Sequence, residues 1–128
     1  MITQIKDNER YNEGKEMEEC IFCKIVKGEI KCNKVYEDNE FLALRDINPQ
    51  APVHILVIPK KHIEKLYHTE EIAFLGRLLH IASKIAKDEG IEQSGYRIVI
   101  NTNRNAGQSV EHLHLHLLGG RPMQWPPG

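Results

Sequence analysis

Glu111-His112-Leu113-His114-Leu115-His116-Leu117-Leu118, near the C-terminus, decides how this chain is read. Histidine and leucine alternate without a break, and a repeat of two is the repeat of an extended strand. Leu113, Leu115 and Leu117 then share one face and bury there, while His112, His114 and His116 share the other. The expected element is a half-exposed strand presenting three imidazoles in a row. Free imidazole titrates near pH 6.5, so a neutral ring serves as nucleophile or ligand while a protonated neighbour donates to an anion. Alternation accounts for the leucines, but a strand has no structural need of three histidines; the choice of residue points to a reaction site.

The segment just upstream, 102–109, adds what an anion needs. Gly107-Gln108-Ser109 is expected to let backbone approach a ligand, expose amide N–H groups and set a hydroxyl beside the imidazoles. Together they compose a phosphate site in which amides and imidazoles hold oxygens, a histidine attacks and Ser109 relays a proton. Gly119-Gly120 ends the strand, and the tail 121–128 cannot be helical around Pro126-Pro127.

Farther upstream, a strand is expected over 96–101 and a long helix over 70–89. Thr69 is its expected N-cap, Gly90 its stop, and Leu75, Leu78, Leu79, Ala82, Ile85 and Ala86 its core stripe. VHILVI (53–58) reads as a buried strand ended by Pro59, after the stiff loop Asn48-Pro49-Gln50-Ala51-Pro52. Residues 34–37 and 41–45 read as a hairpin turning at Asp38-Asn39, and 20–27 as a short helix closed by Gly28. Strands following one another with few helices between them imply an α+β domain: an antiparallel sheet of about five strands, with one long and one short helix on one face.

The chain has 128 residues, enough for one domain with its own core. Lys and Arg (17) nearly balance Asp and Glu (18), which argues against a nucleic-acid-coating or membrane-surface protein, so any phosphate is met locally. Residues 1–19 are polar and aperiodic and read as a flexible extension carrying no chemistry, with the domain at 20–128. With no apolar run near 18 residues and no signal-like stretch, a soluble cytoplasmic protein is expected. Cys20, Cys23 and Cys32 are an odd set containing one Cys-x-x-Cys pair, which in a reducing compartment suggests metal or redox use before a disulfide framework.

The chain resembles the histidine triad (HIT) family, whose motif is His-x-His-x-His-x-x with apolar x; HLHLHLL (112–118) matches it at every position. Further segments resemble the Hint branch, the purine nucleoside phosphoramidases: Asp46-Ile47, Pro49-Gln50-Ala51-Pro52, His54, Ile58-Pro59-Lys60-Lys61-His62, Gly107-Gln108-Ser109-Val110, Gly119-Gly120-Arg121 and Trp125-Pro126-Pro127-Gly128. The resemblance implies hydrolysis of nucleoside 5′-phosphoramidates through a covalent nucleotidyl-histidine. His114 would attack the α-phosphorus, His116 contact phosphoryl oxygens, Ser109 assist departure of the amine and His112 orient the site. Asp46 would accept ribose hydroxyls, Asn101 contact sugar or phosphate, and Ile21, Phe22, Ile25, Leu44 and Ile47 form the base pocket. Read without the resemblance, those apolar residues are core and Asp46 is turn chemistry.

The resemblance also implies a structural zinc ion held by Cys20, Cys23, His62 and His112, with no catalytic metal. Two thiolates and two imidazoles suit a closed tetrahedral site. His54 is a weaker candidate for the third ligand and otherwise a structural strand histidine; the cysteines read alternatively as a redox pair or as packed helix residues, and Cys32 as a plain thiol. A two-fold homodimer with a continuous sheet is implied, the tail and Trp125 lying near the other subunit's site, and the stripe of the long helix is more apolar than one small sheet needs. Three other functions remain open: a catalytic metal on the histidine row, a nucleotide sensor without turnover, and hydrolysis of dinucleoside polyphosphates or mRNA caps.

Overall fold

The computed structural model describes residues 18–128. The expected extension therefore lies outside the described residues up to position 17, while Glu18 and Glu19 are helical and exposed.

Five strands form one sheet in the order β1-β2-β3-β5-β4, each antiparallel to its neighbours. They are β1 (Lys34–Glu37), β2 (Phe41–Arg45), β3 (Val53–Pro59), β4 (Tyr96–Val99) and β5 (Leu115–Gly119). Asp38 makes the β1–β2 turn, its Oδ1 accepting from the amides of Glu40 and Phe41 at 2.7 Å each. β5 lies inside the sheet between β3 and β4, with Leu56 opposite His116 and Val57 opposite Leu115. The strand carrying the histidines is thus interior.

The alternation in β5 holds, and both sides of it are covered. Leu113, Leu115 and Leu117 are buried with Phe41, Ala43, Ile55 and Val57 beneath the long helix α2 (Ile72–Asp88). Burying one such leucine contributes about 1.5–3 kcal/mol. A slip of one residue in register would forfeit a sum comparable with the net stability of a small domain, about 5–15 kcal/mol. On the opposite face, Leu42, Leu44, Leu56 and Ile58 pack against Phe22 and Ile25 of the short helix α1 (Ile21–Val26). The two helices therefore lie on different faces, not on one as expected, because the near-continuous apolar run of β3 needs cover on both sides. His112 and His114 are almost wholly buried and precede the hydrogen-bonded part of the strand, so the row is not a solvent-facing edge.

α2 also departs from its expected form. Its N-cap is Glu71, and Thr69 is extended, its Oγ1 accepting from the Glu71 amide at 3.3 Å. Its buried stripe is Phe74, Leu78, Ile81, Ala82, Ile85 and Ala86, whereas Leu79 is 49% exposed and Leu75 is intermediate. Phe74 turns the stripe: its ring packs on Phe41 at 4.8 Å between centroids. β4 stops at Val99, and a short helix α3 (Asn103–Ala106) occupies the expected loop. Gly119 ends β5 where a Cβ would stand 2.5 Å from Ile91 Cδ1 and 3.1 Å from its Cβ, so the strand passes too close to Ile91 for a side chain.

Candidate active site and metal cluster

Cys20 begins the site. As N-cap of α1 its Sγ accepts from the Cys23 amide at 3.4 Å, which turns both thiols of the Cys-x-x-Cys pair to one end of the helix. Opposite them stand His62, beyond β3, and His112, before β5. The Nε2–H of His112 donates to the Pro59 carbonyl at 2.8 Å. In the neutral ring Nδ1 then carries the lone pair, and it lies 3.4 Å from Cys20 Sγ, 3.6 Å from Cys23 Sγ and 3.2 Å from His62 Nδ1. Cys23 Sγ is 3.2 Å from His62 Nδ1. Zinc–sulfur and zinc–nitrogen bonds of about 2.3 and 2.0 Å in a tetrahedron put ligand atoms about 3.3–3.8 Å apart. The four donors fit a zinc ion in distance, and His112 fits it in tautomer as well. Burial and the neighbouring Cys20 push the Cys23 thiol up to about 12 in the metal-free cluster, so loading it with metal releases protons.

His114 follows one residue after Leu113. Its Nδ1–H donates to the backbone carbonyl of His112 at 2.7 Å, which leaves Nε2 as the lone-pair nitrogen of a neutral ring. Phe22 stands edge-on to it, with centroids 5.2 Å apart, and to His112 at 5.7 Å. One carbonyl and one phenyl ring thus hold the imidazole, and His112 serves both the cysteine cluster and the next histidine. His116 is half-buried, its Nδ1 2.9 Å from His54 Nε2. Burial and the imidazoles of His114 and His54 push His116 down to about 4, so it is neutral at pH 7.

That shift makes a stability prediction. His116 takes a proton near pH 6.5 when unfolded but only near 4 when folded, so between those values the unfolded chain binds more protons and acid favours unfolding. Urea unfolding should show stability falling as pH drops from 6.5 towards 4, with His116 contributing no more than about 1.4 kcal/mol per pH unit. In His116→Gln that slope should shrink; an unchanged slope would remove His116 as its source.

Two cavities meet at His116. An apolar pocket of about 210 Å³ is lined by Ile21, Phe22, Ile25, Leu44, Asp46, Ile47, Ser109, Val110, His114 and His116, which unites the whole expected base pocket with the second and third histidines of the triad, while His112 stays with the cysteines. Ile47 is 97% exposed and forms its rim. Beyond His116 a larger cleft of about 900 Å³ is lined by His54, Arg97, Asn101, Arg121 and Trp125, among others. Asn101 and Trp125 are therefore apart from the base pocket, on the other side of His116.

Gly107 and Gln108 do not offer free amides. Gly107 N–H donates to the Arg104 carbonyl at 3.0 Å and Gln108 N–H to that of Asn103 at 3.1 Å, closing α3. The Gln108 side chain donates to the carbonyls of Glu64 and Val110 and accepts from the Asn103 amide, so it braces the loop that carries Ser109 and Val110. The expected open anion nest is a closed turn, because a helix end must satisfy its own carbonyls. Gly107 is the left-handed C-cap, at φ +77°. Asp46 keeps its turn role, Oδ1 accepting from the Asn48 amide at 2.8 Å, while Oδ2 lies 3.4 Å from His54 Nε2. His54, read from the sequence as a weaker candidate for the third zinc ligand and otherwise as a structural strand histidine, stands apart from the cysteine cluster and beside His116. The available signal was its parity with Leu56 and Ile58 in β3, which puts it on the face that carries His116.

The HIT domain family matches residues 27–123. The chain belongs to the HIT family. It is 56% identical over 112 residues to the 14 kDa zinc-binding protein of Zea mays, covering 84% of this chain and 87% of that protein. It is 51% identical over 108 residues to the purine nucleoside phosphoramidase of Escherichia coli strain K12, covering 83% and 91%. Among solved structures, a HIT family hydrolase from Legionella pneumophila Philadelphia 1 superposes with a TM-score of 0.83 at 52% identity, covering 85% of this chain and 99% of that one. A histidine triad protein from Clostridium difficile gives 0.79 at 45% identity, covering 83% and 94%. The HIT motif is thus carried here by a five-stranded antiparallel sheet with few helices. Among the described residues no helix is long and apolar enough to cross a membrane.

Proposed function

We propose that this enzyme hydrolyses purine nucleoside 5′-phosphoramidates to the nucleoside monophosphate and an amine. The carrying observation is His114, whose proton is bound to the His112 carbonyl and whose lone-pair nitrogen is left beside the apolar pocket. In this reading Nε2 of His114 forms a bond to the α-phosphorus while the phosphorus–nitrogen bond to the amine breaks. The amine leaves with a proton passed through Ser109, which lines the same pocket. Water then attacks phosphorus, releases His114 and gives the monophosphate. His116 contacts the phosphoryl oxygens, Ile21, Phe22, Ile25, Leu44, Ile47 and Val110 enclose the base, and Asp46 accepts from the ribose. The departing group occupies the larger cleft with Asn101 and Trp125, and Gly107 and Gln108 shape the loop bearing Ser109. The name of the Escherichia coli relative supports the phosphoramidate class.

Zinc at Cys20, Cys23, His62 and His112 is part of this reading, as a structural ion supplying a cross-link and no reaction step. The name of the maize relative supports it. The decisive assay compares kcat/KM for adenosine 5′-phosphoramidate with that for a dinucleoside polyphosphate. Preference for the phosphoramidate is expected; preference for the polyphosphate would move the protein to another HIT branch, and turnover of neither would make it a nucleotide sensor.

The proposed protein works in the cytoplasm as a two-fold homodimer. β4 is an edge strand, and Leu79 and Ile72 of α2 are 49% and 85% exposed, so strand edge and apolar helix surface are both open for a second copy. Trp125 is 81% exposed beside the cleft, as expected of a side chain that shapes a pocket without holding the core. Trp125→Ala should change stability by less than about 0.5 kcal/mol yet change the ranking of leaving amines severalfold. Light scattering that finds a fully active monomer at micromolar concentration would overturn the dimer.

A further inference from the structure

We infer that His54 is a positioning residue: clamped by a backbone amide, it compels His116 to carry its proton on Nε2 and so to act as a hydrogen-bond donor towards the reaction site. The argument starts at Gln50, in the loop between Pro49 and Pro52. Its backbone N–H donates to His54 Nδ1 at 3.0 Å. A nitrogen that accepts carries no hydrogen, so the single proton of the neutral ring is on Nε2. An amide cannot reverse its polarity, and this end of the sequence of bonds has only one sense.

The far side of the ring gives the same answer independently. His54 Nε2 faces His116 Nδ1 at 2.9 Å and Asp46 Oδ2 at 3.4 Å. A carboxylate oxygen 3.4 Å from that nitrogen favours a proton on it. His116 Nδ1 must therefore accept, and its own proton resides on Nε2, the ring nitrogen directed away from His54. Burial favours the neutral form of both rings.

The loop supplying the amide is braced at several points. Asn48 N–H donates to Asp46 Oδ1 at 2.8 Å, the Gln50 side chain donates to the Asn48 carbonyl at 3.0 Å, and Arg121 Nε donates to the Gln50 carbonyl at 3.0 Å. Asp46 thus holds the loop and lies beside the proton that His54 directs at His116. Asp46, His54 and His116 have ligand atoms within 4.8 Å of one another, the spacing of a cation site. A cation there needs the Nε2 lone pair of His54, and that nitrogen bears the proton while Gln50 holds Nδ1. The geometry selects a proton-ordered chain over a metal.

The consequence for catalysis rests on the proposed phosphoryl contact of His116. The opposite tautomer would turn a lone pair on the phosphoryl oxygens, whereas Nε2–H stabilises the charge that develops there. Side-chain nitrogen NMR at pH 7 tests the tautomer without any turnover. Wild-type His116 should show a protonated Nε2 and an unprotonated Nδ1. His54→Leu, which keeps an apolar side chain in a buried strand, should give a mixture of tautomers and a kcat lower by about 10²-fold, with KM changed by less than about threefold. His54→Gln, whose amide can accept at one atom and donate at the other, should recover the single tautomer and most of kcat. A protonated Nδ1 in wild-type His116, or a single tautomer persisting in His54→Leu, would overturn the inference. If wild-type protein cleaves no phosphoramidate, the proposed function fails while the tautomer result still decides the role of His54.

Discussion

His114→Ala is expected to abolish phosphoramidate hydrolysis, lowering kcat by about 10⁴-fold or more, while nucleotide binding stays within a few-fold of wild type. The asymmetry follows from what the ring touches. Its Nδ1 is spent on the His112 carbonyl and its edge on Phe22, so alanine removes the attacking nitrogen while the apolar pocket of Ile25, Leu44 and Val110 remains. Calorimetry with nucleoside monophosphate gives the binding arm. Mass spectrometry of the quenched wild-type reaction should find a nucleotidyl group on His114. Activity persisting in His114→Ala would exclude the covalent mechanism.

Gently purified protein should contain about one equivalent of zinc, and removing it should destabilise the fold by about 3 kcal/mol or more, near 10 °C in Tm. Cys20→Ser should reproduce most of that loss. The cluster joins α1, the segment after β3 and the segment before β5, three regions far apart in sequence. Without the metal, Cys23 stays a neutral buried thiol beside a buried imidazole, and α1 is held by its apolar contacts and by weak thiol–imidazole hydrogen bonds. Because Phe22 on α1 packs against His114, zinc loss should also raise KM for nucleotide. Metal analysis near zero, together with an unchanged melting temperature in Cys20→Ser, would refute the site.

The triad and the thiol half of the metal cluster were legible because each rests on a short local pattern, alternation over 112–118 and Cys-x-x-Cys at the start of a helix; His62 and His112 came as its other ligands only through the family resemblance, since they are distant in sequence. The hairpin at 34–37 and 41–45 was legible because its Asp38 turn is local, although β2 is buried at four consecutive positions and does not alternate. The helix stripe was misread at two positions, with Phe74 and Ile81 buried in place of Leu75 and Leu79, because only tertiary contacts such as that of Phe74 with Phe41 show which side faces inward. The loop at 107–109 was misread because glycine announces close backbone approach without saying what approaches; here it was the end of α3.

Sequence alone determined the residue chemistry of the site: three imidazoles on one face of a strand, a hydroxyl nearby, two thiols one helical turn apart, and an α+β chain able to place them together. Tertiary structure decided the polarity of that chemistry. A histidine has two nitrogens, and which of them holds the proton depends on the single partner each one meets in space. Pro59 does this for His112, the His112 carbonyl for His114, and the Gln50 amide, through His54, for His116. Of these partners only the one for His114 is local in sequence; Pro59 and His54 reach their histidines from 53 and 62 positions away, because β3 pairs antiparallel with β5.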